Sequence, residues 1–231
     1  MRNLIFFVVF LLLCCGVSSA QYYIIPLGNF QKATDIEAAK QAFDRDDVEG
    51  NPLLVEDWGN GIVKLKSGNA YNDLILKLNL NRNEIYFQRN AVAYSFPEPV
   101  LECELNYMDN GAVKKMFLRS GYPTIDERDT NSLYQVLADG GKVQFLKFIS
   151  KKIVELKTFG TIPTKYYENF QAYYIYDAKA GSMKAVKTDK SSVMAALPGY
   201  EKAIEQFASN KKNKLRSEQD IIALVNELNK E

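Results

Sequence analysis

Glu102 and Glu104 flank Cys103 in a stretch of alternating character, so on a strand the two carboxylates share one face and the thiol takes the other. Two carboxylates facing a cleft are the apparatus of glycoside hydrolysis. The same spacing also describes a solvated outer face with Cys103 turned inward as a small apolar residue, and that reading is favoured. A second acidic group, Asp44-Arg45-Asp46-Asp47-Val48-Glu49, begins like a calcium loop. Val48 then occupies a ligand position, and Gly50 comes too late for the sharp turn such a loop needs. Asp126-Glu127-Arg128-Asp129 has the same two readings, metal loop or solvated turn, and the solvated turn is favoured for both.

What the chain lacks narrows its chemistry further. It contains no histidine, the commonest general base near neutral pH and the commonest zinc ligand. Ser-His-Asp and Cys-His nucleophile systems are therefore impossible. There is no Cys-x-x-Cys motif, phosphate-binding loop, dinucleotide fingerprint or Gly-x-Ser-x-Gly elbow, and nothing calls for a cofactor. The balance tips from catalysis toward binding.

For binding, the aromatic residues stand out. Tyr166, Tyr167, Tyr173, Tyr174 and Tyr176 crowd one short stretch beside Lys165. Aromatic rings stack on sugars and peptides, so the five form a candidate binding surface. Tyrosine is also an ordinary sheet former, which makes core and rim packing the competing account. Trp58, beside Gly59 and Gly61, reads as a core anchor at a strand start.

The elements that must position these groups are mostly strands. Alternation marks Ile62–Lys66, Tyr71–Leu80, Ile85–Phe87, Ala91–Phe96, Val100–Tyr107, Val113–Leu118 and Leu133–Leu137. Asp109-Asn110-Gly111 and Asp139-Gly140-Gly141 are hairpin turns between such runs. Val143–Leu156 is either two strands or one bent strand, and Ala172–Tyr176 pairs with Ser182–Val186. Asp189 caps a helix to Leu197, and Tyr200, Ala203, Ile204 and Phe207 share one helical face. Ser217 with Asp220 is a variant capping box before the apolar stripe Ile221, Ile222, Leu224, Val225, Leu228. The expectation is an α+β, β-rich domain: an antiparallel meander curled into a half-barrel, with the C-terminal helices on the sheet or across its mouth. One domain covers 21–231, divided into an N-terminal arm (21–56) that packs loosely, a sheet (57–187) and helices (188–231).

Residues 1–20 read as a signal peptide. Arg2 precedes an apolar run from Leu4 to Cys15, too short for a comfortable membrane span, and small residues end it at Ala20. The mature chain then starts at Gln21 and is exported. Lipidation at Cys14 or Cys15 is the lesser alternative, because Leu13 is a poor residue before a lipid-bearing cysteine. Removing Arg2 turns 29 basic and 28 acidic residues into 28 of each, which argues against nucleic acid as a partner. Cys103 is left as the one cysteine, so no internal disulfide forms.

The run Gly61-Ile62-Val63-Lys64-Leu65-Lys66-Ser67-Gly68-Asn69-Ala70-Tyr71 resembles a family of secreted proteins of Bacteroidota-type bacteria whose function is unknown. So do Tyr174-Ile175-Tyr176, Lys190-Ser191-Ser192, Leu197-Pro198 and Ser217-Glu218-Gln219-Asp220-Ile221. The resemblance implies an envelope location; the protein is expected in the periplasm or outside the cell, with association to the outer membrane as a further alternative. It carries no site residues. The expected role is a non-enzymatic module binding a protein, a glycan or an apolar ligand, the last in a half-barrel; a histidine-free carboxylate hydrolase acting on glycans is the rival.

Overall fold

The computed structural model describes residues 47–157, 163–209 and 214–230. The signal segment lies outside them, as do Tyr22–Leu27, whose apolar run predicts a strand, and Thr34–Phe43, whose spacing of Ile36, Ala39, Ala42 and Phe43 predicts a short helix. The described chain forms ten strands: β1 (Gly59–Leu65), β2 (Ala70–Asn79), β3 (Glu84–Arg89), β4 (Val92–Ser95), β5 (Val100–Asp109), β6 (Ala112–Arg119), β7 (Tyr134–Ala138), β8 (Val143–Leu156), β9 (Thr164–Asp177) and β10 (Ser182–Val186). Three helices follow, α1 (Lys190–Ala196), α2 (Glu201–Ser209) and α3 (Glu218–Leu228).

All the strands belong to one antiparallel sheet in the order β10-β9-β8-β7-β6-β5-β1-β2-β3-β4. It is two meanders sharing β1: the chain builds outward to β4, then returns so that β5 takes the other edge of β1. The return uses only Phe96–Pro99. Five Cα steps reach at most about 18 Å, whereas four strand spacings in a flat sheet already cover about 19 Å before any offset along the strands. The first five strands must therefore curl. Phe96 stands across the hollow against Phe87, with ring centroids 4.9 Å apart, and reaches Tyr71 at 6.4 Å. The curl does not close, and β4 and β10 remain edges of the sheet.

Alternation decides what fills the hollow. Val63, Leu65, Leu76, Leu78, Cys103, Leu105 and Leu118 all point inward and are buried. On the same face farther along, Phe145 and Ile175 receive the helices, whose Val193, Ile204, Ile221, Leu224 and Val225 are fully buried against them. Each such side chain contributes about 1.5–3 kcal/mol by leaving water. Asp189 and Ser217 cap α1 and α3 as their spacing predicts, each accepting the backbone N–H three residues on. The opposite face holds a separate aromatic cluster, where Tyr134 meets Tyr122, Phe148 and Tyr174 edge-on under the β6–β7 connection.

One alternative is resolved and two expectations change. Val143–Leu156 is one strand, paired along its whole length with a β9 that starts at Thr164. The described part of the N-terminal arm is anchored, since Leu54 N–H donates to Leu78 O at 2.9 Å, Leu80 N–H to Pro52 O at 2.8 Å, and Leu53 is buried. Trp58 is half-buried rather than a core anchor, lying beneath the ammonium of Lys77 at 4.6 Å.

Candidate functional site

A groove of about 670 Å³ lies on the outer face of the β8–β9 ribbon. Its floor arises from residue size. On that face the directly paired positions are Phe148 with Ala172 and Ser150 with Phe170, so two small residues sit diagonally between two rings. Lys152 continues the row, its ammonium 5.2 Å from the Phe170 ring.

One wall is the tight turn Ile125–Arg128. Ile125 and Arg128 exchange backbone hydrogen bonds at 3.1 and 2.9 Å, and Asp126 and Glu127 both take positive φ, 48° and 65°. This is the geometry of a type I′ turn, which ordinarily uses Asn-Gly. Tyr174 donates its hydroxyl hydrogen to Asp126 Oδ2 at 3.0 Å. Arg128 donates to the Tyr174 hydroxyl and to Asp126 O, and its guanidinium lies 4.1 Å over Phe148. Burial and the bond to Asp126 both push the Tyr174 hydroxyl well above its usual pKa, so it stays a donor.

The other wall is the β2–β3 turn. Asn83 donates to Leu133 O at 3.1 Å and accepts from Leu133 N–H at 2.6 Å, fixing the turn to the β6–β7 connection. Asn81 donates to Lys151 O at 2.9 Å, and Lys151 N–H donates to Leu80 O at 3.2 Å, fixing it to β8. Lys151 itself turns away, donating from Nζ to Asn51 O at 2.9 Å. Both walls are thus held in place without a ligand. Two lining charges are left uncommitted among the described residues: the Glu127 carboxylate has no hydrogen-bond or ion-pair partner, and Lys152 has no carboxylate partner.

The five tyrosines are not gathered on one surface. Tyr174 and Tyr176 face the aromatic cluster on the groove side, where Tyr174 is buried. Tyr173 points to the opposite face and donates to Glu218 Oε2 at 2.8 Å beneath α3. Tyr166 and Tyr167 lie on the distal ribbon opposite Val154 and Ile153. Only Tyr174 lines the groove. Glu102 and Glu104 share a face as expected, paired across the strands with Arg119 at 2.8 Å and Lys115 at 2.5 Å and outside the groove. Cys103 is fully buried, and its thiol is pushed up to about 12 by burial, with a smaller push from Glu104. It is unreactive there.

Among the described residues no cluster of carboxylates and cysteine has the makings of a metal site, and no helix is long and apolar enough to cross a membrane. Asp47, from the acidic group at the start, pairs with Lys165 at 3.3 Å. Sequence reasoning noticed Asp126–Asp129 but missed Ser150, Lys152 and Ala172. The readable signal was a serine and an alanine in strands otherwise built of bulky residues. Comparison with known family models, curated proteins and solved structures finds no match.

Proposed function

We propose that this protein is an exported, non-enzymatic binding module of the bacterial envelope that holds a polar ligand in the β8–β9 groove. The observation that carries the reading is a recess of about 670 Å³ whose two walls are pinned by side-chain hydrogen bonds while Glu127 and Lys152 stay uncommitted. Preorganisation of this kind lowers the ordering cost of binding. Asp126 and Glu127 are neighbours on one wall rather than opposed across a substrate, and Asp126 is engaged by Tyr174, which favours binding over hydrolysis.

A thermal-shift panel of oligosaccharides, peptides and fatty acids tests the reading, because a ligand that binds only the folded state raises Tm. At least one compound is expected to raise it for the natural protein and not for Ala172→Trp, whose indole fills the floor. Stabilisation that survives Ala172→Trp would place the ligand elsewhere. A fatty acid behaving so would favour a second recess of about 390 Å³ at the mouth of the curled half, where Ile85, Phe96, Val100 and Leu133 suit an apolar carrier. Export is checked separately by mass spectrometry: a mature N-terminus at Gln21 fits plain cleavage, and a lipid mass on Cys14 or Cys15 fits anchoring.

A further inference from the structure

Resting on that reading, we infer that the groove takes a neutral oligosaccharide. Charge comes first. Lys151 also lines the groove but carries its ammonium out to Asn51 O; of the four charged groups left facing the groove, Asp126 and Glu127 offset Arg128 and Lys152. Four charged groups around the opening also repel a purely apolar molecule, since each would lose water without gaining a partner.

Peptides are recognised by a few recurrent devices, and each lacks its requirement here. Strand addition needs a free sheet edge, whereas this floor is a sheet face whose backbone groups are spent between β8 and β9. An amphipathic helix needs an apolar trough, and a proline-rich helix needs exposed rings along the groove. Phe148 and Tyr174 are buried, and the guanidinium of Arg128 covers Phe148.

A sugar chain needs what is present. Its C–H faces can rest on Ala172. Its hydroxyls both donate and accept, matching Glu127 as a two-oxygen acceptor, Lys152 as a donor, and the Ser150 hydroxyl as either. Among the described residues the Glu127 carboxylate has no hydrogen-bond or ion-pair partner, which leaves both of its oxygens to accept from a ligand in the groove.

Isothermal titration calorimetry of the purified protein with short, uncharged oligosaccharides of glucose, mannose, xylose and N-acetylglucosamine tests the inference. A mixed tripeptide pool serves as the comparison. At least one sugar is expected to bind, to lose binding in Ala172→Trp or Ser150→Phe, and to weaken about tenfold or more in Glu127→Gly. Glu127→Gly relieves the positive φ, so its Tm is expected to hold or rise, and lost binding with an undiminished Tm belongs to the missing carboxylate. Silence from every sugar, with peptide binding that Ala172→Trp abolishes, overturns the sugar assignment and leaves the groove as a site. Sugar binding that ignores all three variants, or silence from both ligand classes, overturns both.

Discussion

At the scale of single residues, three turns of one type separate backbone demand from side-chain purpose. Asn110 and Gly111 make the β5–β6 turn at φ 50° and 78°, the residue pair this turn prefers. Ala91 stands at the glycine position of the β3–β4 turn with φ 60°, and Glu127 at the same position of the groove wall with φ 65°. Left-handed backbone costs an L-residue roughly 1–2 kcal/mol, partly offset by the greater freedom of glycine when unfolded. Ala91→Gly and Glu127→Gly should therefore each stabilise by about 1 kcal/mol, read as a raised urea midpoint with unchanged m-value. Only the second should weaken ligand binding. A destabilised Glu127→Gly would mean that the carboxylate supports the fold. Tyr134 supplies a complementary case, because its hydroxyl is buried with no hydrogen-bond partner among the described residues. Tyr134→Phe removes an unsatisfied polar atom while keeping the three edge-on ring contacts, and should be neutral or stabilising by up to about 1 kcal/mol. A loss above that would place an ordered water on the hydroxyl.

At the scale of elements, the C-terminal end of α3 is latched to the sheet by its capping residue, Asn229. Asn229 accepts from Lys142 N–H at 3.1 Å and Val143 N–H at 3.0 Å, and it donates to Val143 O at 2.8 Å and Val225 O at 2.9 Å. Asn229→Ala should cost about 2 kcal/mol, several bonds of modest net worth lost together. The close approach explains Gly140, where an added Cβ would run into the Asn229 side chain. Gly140→Ala alone should be destabilising, yet nearly free in the Asn229→Ala background. Additive costs in a double-mutant cycle would refute this steric account. The Asp139-Gly140-Gly141 turn was legible from composition, but the reason for its first glycine was not, because the partner lies 89 positions later. The distal half of β9 was illegible for another reason. Among the described residues, 164–171 pair only with β8 and the segment at Glu49, so water reaches much of both faces and Lys165, Glu168, Asn169 and Gln171 erase the alternation.

At the scale of the whole molecule, local grammar found most strands, and both capped helices, because caps and alternation act within a few residues. It could not place β5 beside β1, since that pairing depends on how a four-residue return forces the sheet to curl. The groove was hidden likewise: its lining comes from the β2–β3 turn, the β6–β7 connection, β8 and β9, which only the folded sheet assembles. The same long-range packing distributes buried tyrosine hydroxyls over both halves, Tyr86 in the curl and Tyr122, Tyr134 and Tyr174 around the aromatic cluster. Burial, its largest cause in every case, raises each from the usual value near 10, with Tyr122 and Tyr134 pushed up to about 12. The sign follows from which state holds the proton. Below pH 10 folded and unfolded chains are both protonated and the contribution is complete. Between about 10 and about 12 the unfolded chain releases protons that the folded one retains, so stability falls as pH rises. Tm should therefore drop across that window, and tyrosinate absorbance should lag in the folded protein and jump on unfolding. Lysines titrate in the same range, so the control is Tyr122→Phe with Tyr134→Phe, which should flatten the drop measurably. An unaltered slope in that double variant would show that the buried phenols do not govern alkaline unfolding.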